Sequence, residues 1–445
     1  MKKITIALSL LLITSLNLFS QDSISIYLGN FQYQKALNYI ETLESSKELQ
    51  LKQALCHKAL GNYKKSIEIL LPLSGEYPTD IQIKSELALC YEAIAKRQIS
   101  IDYYDDLIRL DSTNVYFKQQ KADLLYQQGK FNDALTLFQQ IYNQNKSPNA
   151  LKRIGQCFEK MNVLDSAKIY FKEAWDINPD DSFSAANLTN VCLKQGSLPE
   201  ALTYSEEYMK RDTTDQQINL LNALCYYKMD DYEAAAERLK KCFEAGDSSL
   251  IVNRSLGISY YSLNDSYDAQ PFLENAFRQD TTNNNVLYCL AIACNDMGEH
   301  EKAIPYFRKL LERTIPPDLT LYLYYKNLAS ACVKGSHYQD AIDAYVEALK
   351  YADDNQKMNI HYTMGNIYQF RLDNDKNALE SFKLYKISLT NYLENIKFKE
   401  GIEPEEIAAT QEKITHLNAY ISELRAAIKA GKKSANKSPM VIRTP

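Results

Sequence analysis

Apolar and small residues recur along this chain on two periods at once. In Gly129-Lys-Phe131-Asn-Asp-Ala134-Leu-Thr-Leu-Phe138-Gln-Gln-Ile141, a glycine turn is followed by Phe131, Ala134, Phe138 and Ile141 at helical spacing. Residues three or four apart lie on one face of a helix, so the segment predicts an amphipathic helix behind a tight turn. The same pattern then returns along most of the chain. Its small residue stands at 36, 66, 100, 134, 167, 201, 235, 269, 303, 341 and 378, so the interval is 33 or 34 through the middle, 30 at the start, and 38 and 37 at the end. A fixed period of this length predicts a stack of small helical units, each covering the apolar face of the next.

The polar positions punctuate the same period. Asp111-Ser-Thr-Asn114, Asp212-Thr-Thr-Asp215 and Asp280-Thr-Thr-Asn283 fall at the junctions, where such side chains end one helix and cap the next. Pro72, Pro78, Pro148 and Pro179 are expected to stop helices at turns. Pro271 and Pro305 each follow the key small residue by two, inside a second helix, where a local bend is expected. After Leu311 the register loosens, with Glu312-Arg-Thr-Ile-Pro-Pro-Asp318 and Asp373-Asn-Asp375 lengthening two connections. From about Asn377 an apolar stripe runs on through Leu379, Phe382, Tyr385, Leu389, Tyr392 and Ile396 until Gly401-Ile-Glu-Pro404. Pro404 can open the next helix, which places Ile407, Ile414, Ile421 and Ile428 seven apart with Leu417 and Leu424 between them. Such a seam suits a coiled coil or a capping helix folded back on its neighbour; an open stack needs covering, which favours the cap.

These residues resemble the tetratricopeptide repeat (TPR), a family of stacked helical hairpins. Gly155, Phe158, Ala167, Phe171 and Ala174 match its pattern, with Pro179 at the closing turn, and Ala329, Tyr338, Ala341, Tyr345 and Ala348 form a second good copy. Cys332 replaces an aromatic, Ser66 and Ser100 stand where alanine is usual, and the lone Trp175 is off the consensus tryptophan position. The resemblance covers roughly 30–400. It implies an all-α, right-handed α-solenoid of about 10–11 stacked hairpins with a C-terminal capping helix. The organisation expected is a signal peptide over 1–20, a TPR solenoid over 21–400, a capping or coiled-coil helix over 401–430, and a disordered basic tail over 431–445.

The N-terminus and the charge add a setting. Met1-Lys2-Lys3 precedes a mostly apolar stretch from Ile4 to Phe19, and Gln21-Asp22 then turns polar. That is the layout of a secretory signal, which predicts an exported, periplasmic or envelope-associated protein. Setting aside Lys2, Lys3 and the six basic residues from Arg425 to Arg443 leaves 43 basic against 56 acidic residues. So acidic a body disfavours nucleic acid, whose binding rests on phosphate contacts. Seven of the nine cysteines fall at repeat positions 10 or 11, about one period apart. Neighbouring helices lie too far apart for disulfides there, so the thiols read as small buried apolar side chains.

No catalytic signature is present: no Gly-x-Ser-x-Gly, His-Glu-x-x-His, phosphate loop or dinucleotide fingerprint. His57, His300, His337, His361 and His416 sit in different repeats without ligand spacing, so no enzyme, metal or cofactor is expected. What the resemblance does imply is a concave groove lined by the first helix of each repeat. Its groove positions place Lys152, Arg153 and Gln156 in one repeat and Asn187 and Asn190 in the next. Leu224 and Tyr227 follow, then Arg254 and Tyr261. Some family members clamp a peptide carboxylate with lysine, asparagine and arginine on three successive repeats; Lys152, Gln156 and Asn187 match part of that, while Gln217 and Leu221 break it. The function expected is a scaffold that holds a partner protein or peptide, as part of an envelope complex. The alternative is binding of cell-wall glycan (peptidoglycan). Self-association through 404–430 is a further expectation.

Overall fold

The computed structural model describes residues 23–313, 318–397 and 403–431. The expected signal segment over 1–20 and, apart from residue 431, the expected basic tail lie outside the described residues. Every regular element among the described residues is a helix. They form two compact units, Met1–Ile218 and Asn219–Pro445, with the boundary inside the helix Gln216–Lys228.

The first unit stacks helical hairpins. A helical segment over 23–29 pairs with Tyr33–Ile40, and there follow Lys47–Ala59 with Tyr63–Glu76, Ile81–Ala93 with Arg97–Leu110, Val115–Gln127 with Phe131–Asn145, Pro148–Lys160 with Leu164–Ile177, and Ser182–Gln195 with Leu198–Met209. The second unit continues the same plan, with Gln216–Lys228 leading to Tyr232–Glu244. It adds Leu250–Ser262 with Ser266–Gln279, Asn284–Asp296 with His300–Arg313, Asp318–Lys334 with Tyr338–Ala348, and Asp375–Ile396 behind Asp354–Phe370. In each unit a helix packs chiefly on the one before and the one after it. The chain is an α-solenoid.

The recurring small residue is where the two helices of a hairpin meet. Every one of the eleven, from Ala36 to Ala378, is at most 1% exposed, the serines Ser66 and Ser100 included. A second small position lies on the first helix, facing a large side chain of the second. A Cβ added at Gly155 would stand 2.8 Å from Phe171, at Gly257 2.8 Å from Leu273, and at Gly365 2.6 Å from Phe382. Glycine is kept at these three places because the facing side chain fills the space of a methyl group.

The turn inside each hairpin shows a regularity that composition conceals. Phe31, Gly61, Ala95, Gly129, Asn162, Gly196, Asp230, Asn264, Gly298, Ser336 and Asp373 all take a positive φ, each five residues before the buried small residue. The next residue's N–H closes back on the first helix, as Asn62 N does on His57 O (2.8 Å), Val163 N on Phe158 O (2.9 Å) and Glu299 N on Cys294 O (2.8 Å). This is the left-handed stop that caps helical C-termini. Glycine is favoured there but occupies only four of the eleven positions, so a sequence search for glycine misses most of the turns.

The opposite ends are capped as expected. Asp111 accepts from the N–H of Thr113 (3.1 Å) while Asn114 accepts from Tyr116 N (3.1 Å), and Asp212, Asp280 and Asn283 repeat the arrangement. Prolines need correction. Pro78 and Pro179 follow helices, but Pro148 opens one and Pro72 lies inside Tyr63–Glu76, as Pro271 and Pro305 do inside theirs. All three internal prolines are exposed, and so are Glu68, Tyr267 and Glu301, four residues earlier, whose carbonyls lose their helical partner. Water can satisfy those groups, which is why the helices continue.

Pro404–Lys429 packs along Asp375–Ile396. Ile414, Leu417, Ile421 and Leu424 of its seam are buried in one cluster with Leu389, Leu393 and Ile396, and Ile407 and Ile428 pack at its margin. The heptad seam is thus covered by the chain's own preceding helix, the geometry of a cap. The cysteines are free and buried throughout. Burial pushes the thiol of Cys157 up to about 11 and those of Cys289 and Cys294 up to about 12.

Two stability experiments follow from this packing. Gly365→Ala should lower the thermal midpoint, because overpacking costs about 1–3 kcal/mol and exceeds the roughly 1 kcal/mol that alanine adds to helix propensity; an unchanged or raised midpoint would show that the Phe382 ring yields freely. Ala95→Gly should raise the midpoint, because it removes a left-handed alanine worth about 1–2 kcal/mol at an unfolded-state cost of about 0.4–1 kcal/mol.

Candidate functional site

In the first unit, the polar residues that the repeat pattern assigns to a binding face join one hairpin to the next. Arg153 forms an ion pair with Asp123 of the preceding hairpin, and its guanidinium lies 5.0 Å from the centre of the Tyr126 ring. Its other amino group donates to Gln156 Oε1 at 2.8 Å, while Asp123 also accepts from Gln119 at 2.8 Å. Lys152 reaches Asp181 of the following hairpin at 3.2 Å and sits 5.5 Å above the Phe183 ring. Burial alone would raise the Asp181 carboxyl, but bonds from Ser184 and the Lys152 charge hold it below its ordinary value. Asn190 and Lys194 both donate to Glu159 of the hairpin before, at 3.1 and 2.6 Å. Asn187 donates to the Phe183 carbonyl of its own helix at 2.7 Å. These side chains keep adjacent first helices in register, and a ligand would have to displace those bonds to reach them.

A surface cavity of about 510 Å³ in this unit is lined by Ser74, Lys84, Asp102, Tyr103, Asp105, Asp106 and Arg109. Its charges are engaged too: Lys84 meets Asp106 at 2.6 Å, Arg109 also pairs with Asp106, and Asp105 pairs with Lys121. Among the described residues there is no cluster of His, Cys, Asp and Glu fit to hold a metal ion, and no helix long and apolar enough to cross a membrane.

The corresponding face of the second unit is built differently. Leu224, Tyr227, Arg254 and Tyr261 are partly exposed on the first helices Gln216–Lys228 and Leu250–Ser262. Tyr288 and Tyr324, from the next two first helices, extend the group, with ring centres 5.4 Å apart. Asn327 donates to the Tyr288 hydroxyl at 3.0 Å. Tyr227 packs edge-on against Tyr232 at 6.1 Å. The residues sense one another electrostatically: burial raises the Tyr227 phenol while the Arg254 charge pulls it back, and burial pushes Tyr261 up to about 12, with Cys289 and Tyr288 adding to it. Among the described residues Arg254 has no ion pair or hydrogen bond, unlike Arg153. The hydroxyls of Tyr227, Tyr261 and Tyr324 likewise have no protein hydrogen-bond partner there. The arrangement therefore offers a cation, unengaged phenols and aromatic rings together. Tyr288 and Tyr324 had not been singled out from the sequence. Tyr288 falls on the same repeat positions one hairpin further on, whereas Tyr324 lies off them, in a first helix lengthened to 17 residues.

Comparison with known proteins agrees with the architecture. A model described as coatomer epsilon subunit matches residues 17–250, and one described as tetratricopeptide repeat matches 285–314. A TPR repeat-containing protein of Methanocaldococcus jannaschii is 25% identical over 381 residues, covering 72% of this chain and 66% of its own. Stress-induced-phosphoprotein 1 of Caenorhabditis elegans is 22% identical over 183 residues, covering 34% of this chain and 57% of its own. The chain thus spans less than two thirds of the length of these two relatives. Among solved structures, the C-terminal part of a TPR repeat-containing protein from Cytophaga hutchinsonii is 16% identical, with a TM-score of 0.46, covering 54% of this chain and 99% of that one. With its eleven in-phase units and these matches, the chain belongs to the tetratricopeptide repeat family and, through the model that spans just over half of it, to the coatomer epsilon subunit family.

Proposed function

We propose that this chain is a non-catalytic scaffold that holds a partner protein, or an extended segment of one, on the first-helix face of its second unit. The observation that carries the reading is Arg254, a cation without an internal partner among tyrosines whose hydroxyls are also unengaged. Arginine and tyrosine are the side chains that most often anchor protein interfaces. The first unit supports a different role in the same reading. Its Lys152, Arg153, Gln156 and Asn190 bind neighbouring hairpins and set the spacing of the stack. Membership of the tetratricopeptide repeat family, and of a family named for a subunit of a larger complex, is in keeping with a scaffold. The basic start and apolar stretch over 4–19 place the scaffold outside the cytoplasm, in the periplasm or envelope.

The reading is tested by cross-linking the tagged protein in its native envelope and identifying what co-purifies. The wild type should capture a protein partner, and Arg254→Ala with Tyr261→Ala should reduce recovery about tenfold, as loss of one interface anchor would. Changing Lys152, Arg153, Asn187 and Asn190 to alanine should instead lower the thermal midpoint and leave capture largely intact below it. Capture unaffected by the Arg254 pair but lost with the second set would move the site to the first unit. Recovery of purified peptidoglycan with no protein partner would replace the scaffold with a glycan-binding protein.

A further inference from the structure

The tyrosines of the second unit are spaced in a way that selects among extended ligands. Tyr227 and Tyr261 are 34 residues apart and hold the same place in neighbouring hairpins, while Tyr288 and Tyr324 come from the next two. The first helices Leu250–Ser262 and Asn284–Asp296 touch directly, as helices about 8–10 Å apart do. Rings carried by successive first helices thus recur at that interval. A β-strand returns to the same face after two residues, about 6.6 Å, too short for the step. A polyproline II segment returns after three, about 9.3 Å. Only the second keeps pace with the hairpins.

The donors agree with the spacing. Arg254 can only donate hydrogen bonds, and the hydroxyls of Tyr227, Tyr261 and Tyr324 have donor capacity that the described residues do not use. A polyproline II segment has no internal hydrogen bonds, so its carbonyls are all available, and at each proline there is no N–H to satisfy. An acceptor-rich, donor-poor ligand with flat apolar rings fits a face of donors and aromatic rings. An ordinary extended peptide would bring one N–H per residue to a wall with few acceptors.

We propose that Tyr227, Arg254, Tyr261, Tyr288 and Tyr324 form a docking strip for a proline-rich segment in the polyproline II conformation. Prolines at every third position rest on the tyrosine rings, and the intervening carbonyls accept from the phenols and from Arg254. The inference rests on the reading of this face as the partner-binding one and adds the chemistry of what binds.

The test uses fluorescence anisotropy with three labelled decamers: proline only, alternating glycine and serine, and alternating alanine and glutamate. Wild-type protein should bind the proline decamer at least about tenfold more tightly than either other peptide. Tyr227→Leu with Tyr261→Leu should weaken that binding about tenfold or more, and Tyr261→Phe, which keeps the ring and removes the hydroxyl, should weaken it a few-fold. Circular dichroism and the thermal midpoint identify a variant that fails to fold, in which case Tyr261→Phe and Arg254→Ala decide the matter. Equal binding of the proline and glycine-serine decamers, or proline binding indifferent to these variants, overturns the proposal. Tight binding of the glutamate decamer that disappears in Arg254→Ala also overturns it, by assigning the strip to acidic segments. If a partner is captured from the envelope through Tyr261 while the proline decamer does not bind, the scaffold reading stands and the polyproline reading falls.

Discussion

The close approach of the two helices within each hairpin is the constraint on which the rest depends. It requires a side chain no larger than alanine or serine at one point of the second helix, and all eleven such residues are buried to within 1%. It also requires that a large ring or leucine on one helix be met by a small residue on the other, as Phe171 is by Gly155 and Phe382 by Gly365. Once that contact sets the distance, the left-handed turn five residues earlier sets the angle, and a helix leaving the turn can only lie back against its predecessor. The solenoid is a repetition of this one event.

On such a frame the first-helix face is free to vary, and the two units use it differently. In the first unit, acidic and basic residues on successive helices satisfy one another, as Asp123 does with Arg153 and Glu159 with Asn190 and Lys194. Partly buried pairs of this kind hold register more than they add stability. In the second unit the contacts along that face are largely aromatic, with one hydrogen bond from Asn327 to Tyr288. Aromatic packing leaves polar atoms unengaged, and those atoms are what a partner can recognise.

The fold was legible in the sequence because its constraint is periodic: Ala134, Ala167, Ala201 and Ala235 announce the hairpins without any knowledge of contacts. The caps at Asn114 and Asn283 were legible for the same reason, since capping is local chemistry. The turns were only partly so. Ala95 and Ser336 adopt the same backbone as Gly61, and the conformation is imposed by the packing on either side. Pro72 was misread because its tolerance depends on whether the carbonyl of Glu68 faces water, which is a tertiary fact. The site was the least legible part. Lys152 and Arg153 stand at family groove positions just as Arg254 does, and only the structure shows that Asp181 and Asp123 already occupy the first two.

Packing confined chiefly to sequence neighbours has one more consequence. A substitution in one hairpin is felt by the hairpins beside it and hardly beyond, so effects at distant repeats should add with little coupling. Each repeat can then drift almost independently, constrained at only a few of its 34 or so positions. That is how kinship with an archaeal relative can persist at 25% identity while the residues offered to partners are rewritten repeat by repeat.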